Sequence, residues 1–428
     1  MEVIKAPRGT RDVLGDESWK WTHVLDVCRR TADDFGYSEV LLPIFEHTEL
    51  FSRGIGDTTD VVEKEMYTFT DRGNRSITLR PELTASMVRS YLEHDMRRLP
   101  QPVKLWSAGP MFRYERPQKG RYRQFWQIDF EILGVPSPMA DLETIDTSME
   151  IYRRLGLSNL QVLINSVGCP KCRPVYREAL KSFIASSPGG VRGLCETCRD
   201  RFDRNPLRIL DCKIPECKDL TRSAPAMIDS LCDECREHFD GVGRGLDRIG
   251  ADVRLDNRLV RGLDYYTKTA YEILAGELGS QNAVCGGGRY DNLAEAIGGP
   301  HVPGVGFASG IERIVITLEG QGVYPGKAPE TDVCIVTASD DAIMEACALA
   351  HELRMSGLAV GSDYTGRGMK AQMKQAASAG ARFVCILGGD EIASGVVGVK
   401  NMKNGEQVSV PRSGTAAKIA LWREEMVE

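Results

Sequence analysis

Between residues 113 and 123 the chain gathers Arg113, Arg116, Lys119, Arg121 and Arg123, with Glu115 and the aromatic residues Phe112, Tyr114, Tyr122, Phe125 and Trp126 among or beside them. Guanidinium forks bond phosphate oxygens in pairs, so such a cluster is built to meet a polyanion. A solvated hairpin tip would account for the charge but not for the aromatic residues threaded through it. Directly after this loop Gln127, Asp129 and Glu131 alternate with Ile128, Phe130 and Ile132. At strand spacing this places the polar side chains on one face and the apolar ones on the other.

A second constellation is made of cysteine. Cys169 and Cys172, Cys195 and Cys198, Cys212 and Cys217, and Cys232 and Cys235 form four close pairs, eight of the chain's 13 cysteines. Close pairs on short turns suit tetrahedral thiolate sites, and eight thiols would make two Zn2+ sites of structural type. In a reducing compartment metal binding outranks disulfides, although disulfides and inert thiols remain alternatives. His238 could replace one ligand. No partner base accompanies these thiols, which argues against catalysis by them. Cys28, Cys334, Cys347 and Cys385 fall in helix or strand patterns and are expected to pack as small core residues.

The elements that must position these groups follow from periodicity. Residues 19–35 repeat apolar positions at helical spacing and stop at Gly36, suited to a left-handed helix end. Residues 37–42 read as a strand closed by Pro43. Strand signals dominate residues 76–133, with a helix after Pro81, which fits its N-terminal position, and with Glu82 and Thr84 in its first turn. A helix is expected over residues 141–155. The arginine loop then joins two antiparallel strands, and the whole reads as an α+β core. From about residue 165 to 241 the cysteines and several prolines mark an inserted helical domain. Strand signals resume with RLDNRLVRGLDYYTKTAYEIL, and the Gly/Pro/Lys stretch GVYPGKAPE marks a boundary. Beyond it strand and helix alternate, as in an α/β domain with a parallel sheet. The expected segments are 1–164, 165–241, 242–322 and 329–428.

Composition sets outer limits. The 428 residues, 42% hydrophobic, can fill several cores, and the net charge of −6 argues against a chain coated with nucleic acid but leaves room for local basic patches. No apolar run approaches the ~20 residues needed to cross a bilayer, and the first five residues lack the layout of a secretion signal, so a cytoplasmic location is expected.

Several segments carry a resemblance. FRYERPQKGRYRQF with Gln127 and Glu131 resembles motif 2 of class II aminoacyl-tRNA synthetases, in particular the histidyl-tRNA synthetases. RGLDYYTKTAYE resembles the histidine-specific segment of that family, CGGGRYD its glycine-rich strand, and GVGFASGIER its motif 3. GYSEVLLP is similar to motif 1, and TDVVEKEMYTF with LRPELTAS to the stretch between motifs 1 and 2. The matches run through nearly the whole chain in the family's order.

The resemblance implies an antiparallel-sheet catalytic core, a C-terminal anticodon-binding domain, and a homodimer built through the first helix and strand. It implies activation of L-histidine by ATP with Mg2+, followed by transfer to the tRNA for histidine. Arg113 and Arg313 match the two ATP-binding arginines, and Arg121 assists. Arg261 matches the fixed cation where the substrate carboxylate meets the α-phosphate, a charge an arginine cannot lose. Glu82, Thr84 and Gln127 match the α-ammonium set, while Glu131, Tyr266 and neighbouring Tyr265 match the imidazole set. Gly286 to Gly288 are expected to admit the backbone close to a ligand. Leu83 departs from the glycine of many relatives. NPLRILDCK looks like the family's insertion pattern, but the cysteine set does not come with the resemblance. A regulatory subunit of histidine biosynthesis is the rival reading; such paralogues generally lack the C-terminal domain and part of the site. Arg367, Lys370, Lys374, Arg382, Lys400 and Lys403 are expected to meet tRNA in the last domain.

Overall fold

The computed structural model describes residues 3–56, 59–278, 283–323 and 331–425. The chain divides into two compact units, residues 1–325 and 326–428. Most of GVYPGKAPE, residues 324–330, lies outside the described residues.

The first unit is organised by an eight-stranded sheet. Its strands run, edge to edge, Ser38–Glu39, Val103–Phe112, Gln124–Leu133, Gly304–Gly310, Ala283–Arg289, Thr267–Ala275, Leu160–Ser166 and Val253–Leu255. The six central strands are antiparallel, and the two edge pairs are parallel. Register fixes the site. Trp106, Phe130 and Phe307 are direct neighbours across three strands, and their rings stack at 5.7 and 5.0 Å. They bury themselves with Val24, Cys28, Ile145 and Ile314 from helices Asp16–Phe35, Pro138–Arg154 and Ile311–Gly320. Since side chains alternate along a strand, packing Phe130 on this face turns Asp129 and Glu131 to the other. There the helices Thr48–Ile55 and Thr84–Glu93 close a second core around Phe51, Met87 and Tyr91.

Three local expectations change. The first strand is only Ser38–Glu39, followed by one further bond from Val40 N–H to Trp106 O at 2.9 Å. It lies at the sheet's edge with a ladder on one side, and Leu41 is 83% exposed. The helix expected directly after Pro81 begins at Thr84. Its first N–H groups, from Thr84 and Ala85, are taken by the Glu82 carboxylate at 2.8 and 2.9 Å, so Pro81 stays outside. Cys347 is exposed, unlike buried Cys28 and Cys385, because it lies on the outer face of helix Ala342–Met355.

The cysteine-rich stretch forms the helices Cys172–Ser186, Glu196–Arg204, Pro215–Leu220 and Asp233–Arg248 with short 3-10 turns between them. Its core holds Tyr176, Leu180, Ile184 and Ile209 together with cysteine side chains.

The second unit has a five-stranded sheet ordered Val360–Ser362, Val333–Thr337, Phe383–Leu387, Val396–Asn401 and Gln407–Pro411. It is mixed, not parallel throughout. The first three strands are parallel and linked through helices Ala342–Met355 and Met369–Ser378; the last two join by short connections, which can only give antiparallel pairs. Lys370 and Lys374 are exposed on the second of these helices, whereas Gln372 and Ala376 face inward.

Candidate active site

A cavity of about 350 Å³ opens over the central strands of the first unit. Its lining includes all ten non-cysteine candidates: Glu82, Thr84, Arg113, Arg121, Gln127, Glu131, Arg261, Tyr265, Tyr266 and Arg313.

One end is acidic and aromatic. Glu131 is buried, accepts from Thr84 Oγ1 at 2.7 Å and from the Tyr290 hydroxyl, and faces Gly306 on the neighbouring strand. A Cβ at Gly306 would stand 1.6 Å from Glu131 Oε2, so only glycine lets the carboxylate lie across the strand. Burial pushes the Glu131 carboxyl up to about 8, against the pull of Tyr290 and Thr84. Burial likewise raises Glu82, and it raises Asp129 strongly, with Glu131 and Glu82 adding repulsion. Both Asp129 oxygens and Gln127 Oε1 are buried without a hydrogen-bond partner among the described residues. Three buried carboxyls and orphaned acceptors in one concave site form a receptor for a small cation carrying N–H donors.

The other end is cationic. Burial lowers the Arg313 pKa, and the nearby charges of Arg121 and Arg113 lower it further. A guanidinium stays protonated in proteins, so this is crowding of permanent positive charge, a setting for phosphates. Arg113 Nε donates to Pro81 O at 2.9 Å, which ties it to the start of the Glu82 turn. Arg121 pairs with Glu115 at 2.8 Å, and Arg313 donates to Ala283 O and to Gly120 O in the arginine loop.

Arg261 pairs with Glu272 and lies 5.5 Å from the Tyr266 ring centroid. Burial works against its charge, but Tyr266 and Glu272 outweigh burial and its pKa rises. The glycine-rich strand also makes room for this arginine. A Cβ at Gly286 would meet Arg261 Nη2 at 2.1 Å, and the glycine itself lines the cavity.

Sequence reasoning passed over several lining residues. Asp129 shares the face of Gln127 and Glu131, a signal present in the strand alternation. Tyr290 and Glu272 carried no spacing that set them apart. Arg208, Asp211 and Lys213 reach the lining from the cysteine-rich stretch, which only the tertiary fold reveals. Leu83 is buried at the helix start, and Glu82 and Thr84 keep their places beside it.

The cysteines assemble into two groups, and in each the ligand atoms lie within 4.8 Å of one another: Cys169, Cys172, Cys232 and Cys235, and Cys195, Cys198, Cys212 and Cys217. The first pair therefore joins the fourth, and the second joins the third. His238 belongs to neither; its Nε2 lies 3.2 Å from Asp141 Oδ1, in a buried network with Arg289.

An antiparallel sheet carrying an arginine hairpin beside a polar cavity is the architecture of a class II aminoacyl-tRNA synthetase core. The family model for histidyl-tRNA synthetase matches residues 9–172 and 218–314, and one for an anticodon binding domain matches residues 332–421. The chain is 52% identical over 404 residues to a histidine–tRNA ligase of Desulforamulus reducens, covering 94% of this chain and 96% of that one. The crystal structure of apo S. aureus histidyl-tRNA synthetase superposes with a TM-score of 0.82 at 38% identity, over 97% of this chain and 100% of that one. A Bacillus halodurans protein described as an ATP phosphoribosyltransferase regulatory subunit/histidyl-tRNA synthetase shares the fold, with a TM-score of 0.65 at 22% identity, over 91% of this chain and 99% of that one. The chain belongs to the histidyl-tRNA synthetase family.

Proposed function

We propose that this chain joins L-histidine to the 3′ end of the tRNA for histidine in two steps within the cavity. In the first, a histidine carboxylate oxygen attacks the α-phosphorus of ATP, the bond to the β-phosphate oxygen breaks, and pyrophosphate leaves. In the second, a hydroxyl of the terminal tRNA ribose attacks the carbonyl carbon of the adenylate and AMP leaves. Arg113, Arg121 and Arg313 hold the phosphates, and Arg261 supplies fixed charge where carboxylate and α-phosphate meet. Glu82, Thr84 and Gln127 receive the α-ammonium; Glu131, Tyr265 and Tyr266 receive the imidazole, with a carboxylate and a phenol able to serve a ring donor and a ring acceptor together. Mg2+ enters with ATP and neutralises phosphate charge, and the cavity carboxylates Glu115 and Glu272 offer it the oxygen ligands it prefers.

The observation that carries this reading is the joining, in one cavity, of orphaned buried acceptors and crowded arginines. The regulatory-subunit alternative is disfavoured because all ten site residues line the cavity and a C-terminal domain follows. Histidine-dependent exchange of pyrophosphate into ATP tests the assignment. Exchange with histidine and with none of the other amino acids is expected; its absence from folded protein would refute the reading.

Residues 1–164 and 242–322 form the catalytic core, 165–241 the insertion, and 329–428 the anticodon-reading domain. In that last domain Lys370 and Lys374 are exposed for phosphate, while Arg367 pairs with Asp363, and Arg382 lies 3.7 Å from Asp332. A homodimer across the edge strand is supported by exposed Leu41, Ile44 and Phe45 in consecutive segments. No helix among the described residues is long and apolar enough to cross a membrane, in keeping with a cytoplasmic site of action. The eight insertion thiols are read as ligands of two structural Zn2+ ions.

A further inference from the structure

The first thiol group sits against the wall of the histidine pocket, and each half of it delivers one residue to that wall. Arg173 follows Cys172. Its Nε donates to Val167 O at 3.2 Å and its Nη2 to Tyr266 O. Glu234 lies between Cys232 and Cys235 and pairs with Lys268 Nζ at 3.0 Å. Tyr266 directly precedes strand Thr267–Ala275, and Lys268, the strand's second residue, lies beside a register shift in its ladder and takes φ 51°, a left-handed conformation unfavourable for a lysine. This start of the strand is held by further bonds to the same stretch, Lys268 N–H to Gly168 O at 3.0 Å and Val167 N–H to Lys268 O at 2.7 Å.

The sulfur geometry fits a tetrahedral metal. With Zn–S bonds near 2.3 Å, tetrahedral sulfurs stand about 3.8 Å apart. Cys169 Sγ lies 3.6 Å from Cys172 Sγ and 3.9 Å from Cys232 Sγ. Backbone N–H groups of Lys171 and Cys232 point at Cys169 and Cys172 sulfurs at 3.4 and 3.2 Å, as suits thiolates carrying negative charge.

We propose that a Zn2+ ion bound by Cys169, Cys172, Cys232 and Cys235 sets substrate recognition indirectly, by fixing Arg173 and Glu234 so that they hold residues 265–268, which lead into strand Thr267–Ala275, in their strained, histidine-binding shape. The inference rests on reading that segment as the imidazole wall. On binding, the four thiols lose their protons to solvent and the ion is enclosed, so it plays no part in the chemistry. Arg173 and Glu234 are positioning residues. The second group, Cys195, Cys198, Cys212 and Cys217, has a separate duty: it secures helix Glu196–Arg204, whose Arg201 pairs with Asp60 at 2.9 Å.

The test uses the full chain purified without oxygen. Elemental analysis should find about two zinc ions per chain, on four ligands per structural site. Arg173→Met and Glu234→Gln should keep both ions, yet raise KM for histidine on the order of 10-fold while KM for ATP changes little, because displacement of a pocket wall by a fraction of an ångström weakens only what touches it. Cys235→Ser should lose one ion and show the same histidine defect. Hydrogen exchange at residues 265–268 should speed up in all three variants, a readout that needs no substrate. Protein without zinc, or Arg173→Met and Glu234→Gln with wild-type histidine KM and exchange, would overturn the proposal. Wild-type protein that holds zinc and protects residues 265–268 but does not activate histidine would instead refute the reading of the pocket.

Discussion

The sheet and the cysteine-rich insertion both contribute side chains to one cavity, but they hold them by different means. On the sheet, Asp129 and Glu131 are aimed by register: Phe130 between them is locked against Trp106 and Phe307, and no ligand is needed to set the direction. In the insertion, five of the 13 buried core residues are cysteines, so thiols stand where a self-sufficient domain would place larger apolar groups. On the proposed zinc reading, a floor fixed by hydrophobic packing meets a wall that would depend on bound metal. Precision should then survive loss of metal in the first region and fail in the second.

The largest effect should come from stripping the metal. Zinc bound by four thiolates is associated with about 10 kcal/mol or more of binding free energy, on the scale of a small domain's entire stability. Prolonged chelation should open residues 165–241 to proteolysis while fragments of the sheet remain resistant. Simultaneous unfolding of both regions would erase the distinction between them.

Deleting residues 329–428 should separate chemistry from tRNA recognition. Pyrophosphate exchange should persist near the wild-type rate in a truncated protein that remains dimeric, while aminoacylation falls on the order of 10²-fold or more through loss of tRNA affinity. Equal loss in both assays would refute the division of labour.

A smaller effect should appear with pH. The Glu131 pKa of about 8 in the fold lies above its ordinary 4.5, so proton binding favours the folded state. That contribution is fully present below pH 4.5 and disappears as pH rises through 8. Thermal melting of the ligand-free protein should therefore lose on the order of a few kcal/mol of stability across this range, partly abolished in Glu131→Gln. Glu82 and Asp129 shift in the same direction and account for the remainder. Added histidine should restore stability at the alkaline end, because its ammonium compensates the ionised carboxylates. A flat profile in wild-type protein would contradict the acidic receptor.

The smallest effect belongs to the surface. Arg201→Ala breaks a partly exposed pair with Asp60 and should change stability by about 1 kcal/mol or less, measured by denaturant titration. A loss several times larger would show that helix Glu196–Arg204 bears more of the wall than the salt bridge suggests.

Much of the sheet's contribution was legible in the chain, for a physical reason: strand alternation carries orientation directly, so Gln127 and Glu131 could be assigned a common face. The helix start at Thr84 was misplaced because Pro81 is a local signal and the Glu82 carboxylate, which takes the first N–H groups, overrides it. The mixed C-terminal sheet depended on the two short final connections, weaker signals than the strand and helix alternation before them. The joining of the first cysteine pair to the fourth could not be read, since spacing defines pairs and not which pairs meet. Nor could Arg208 or Lys213, which enter the cavity only because the insertion folds back over it.

The central claim is that this cavity activates histidine with a permanent arginine charge at the reacting centre. Single-turnover formation of histidyl-adenylate by wild-type protein and Arg261→His, each shown to be folded, tests it most directly. The expected result is adenylate formation that requires histidine and slows by ~10²-fold or more in the variant, the scale for losing a preorganised charge. A variant that forms adenylate at nearly the wild-type rate would contradict the account.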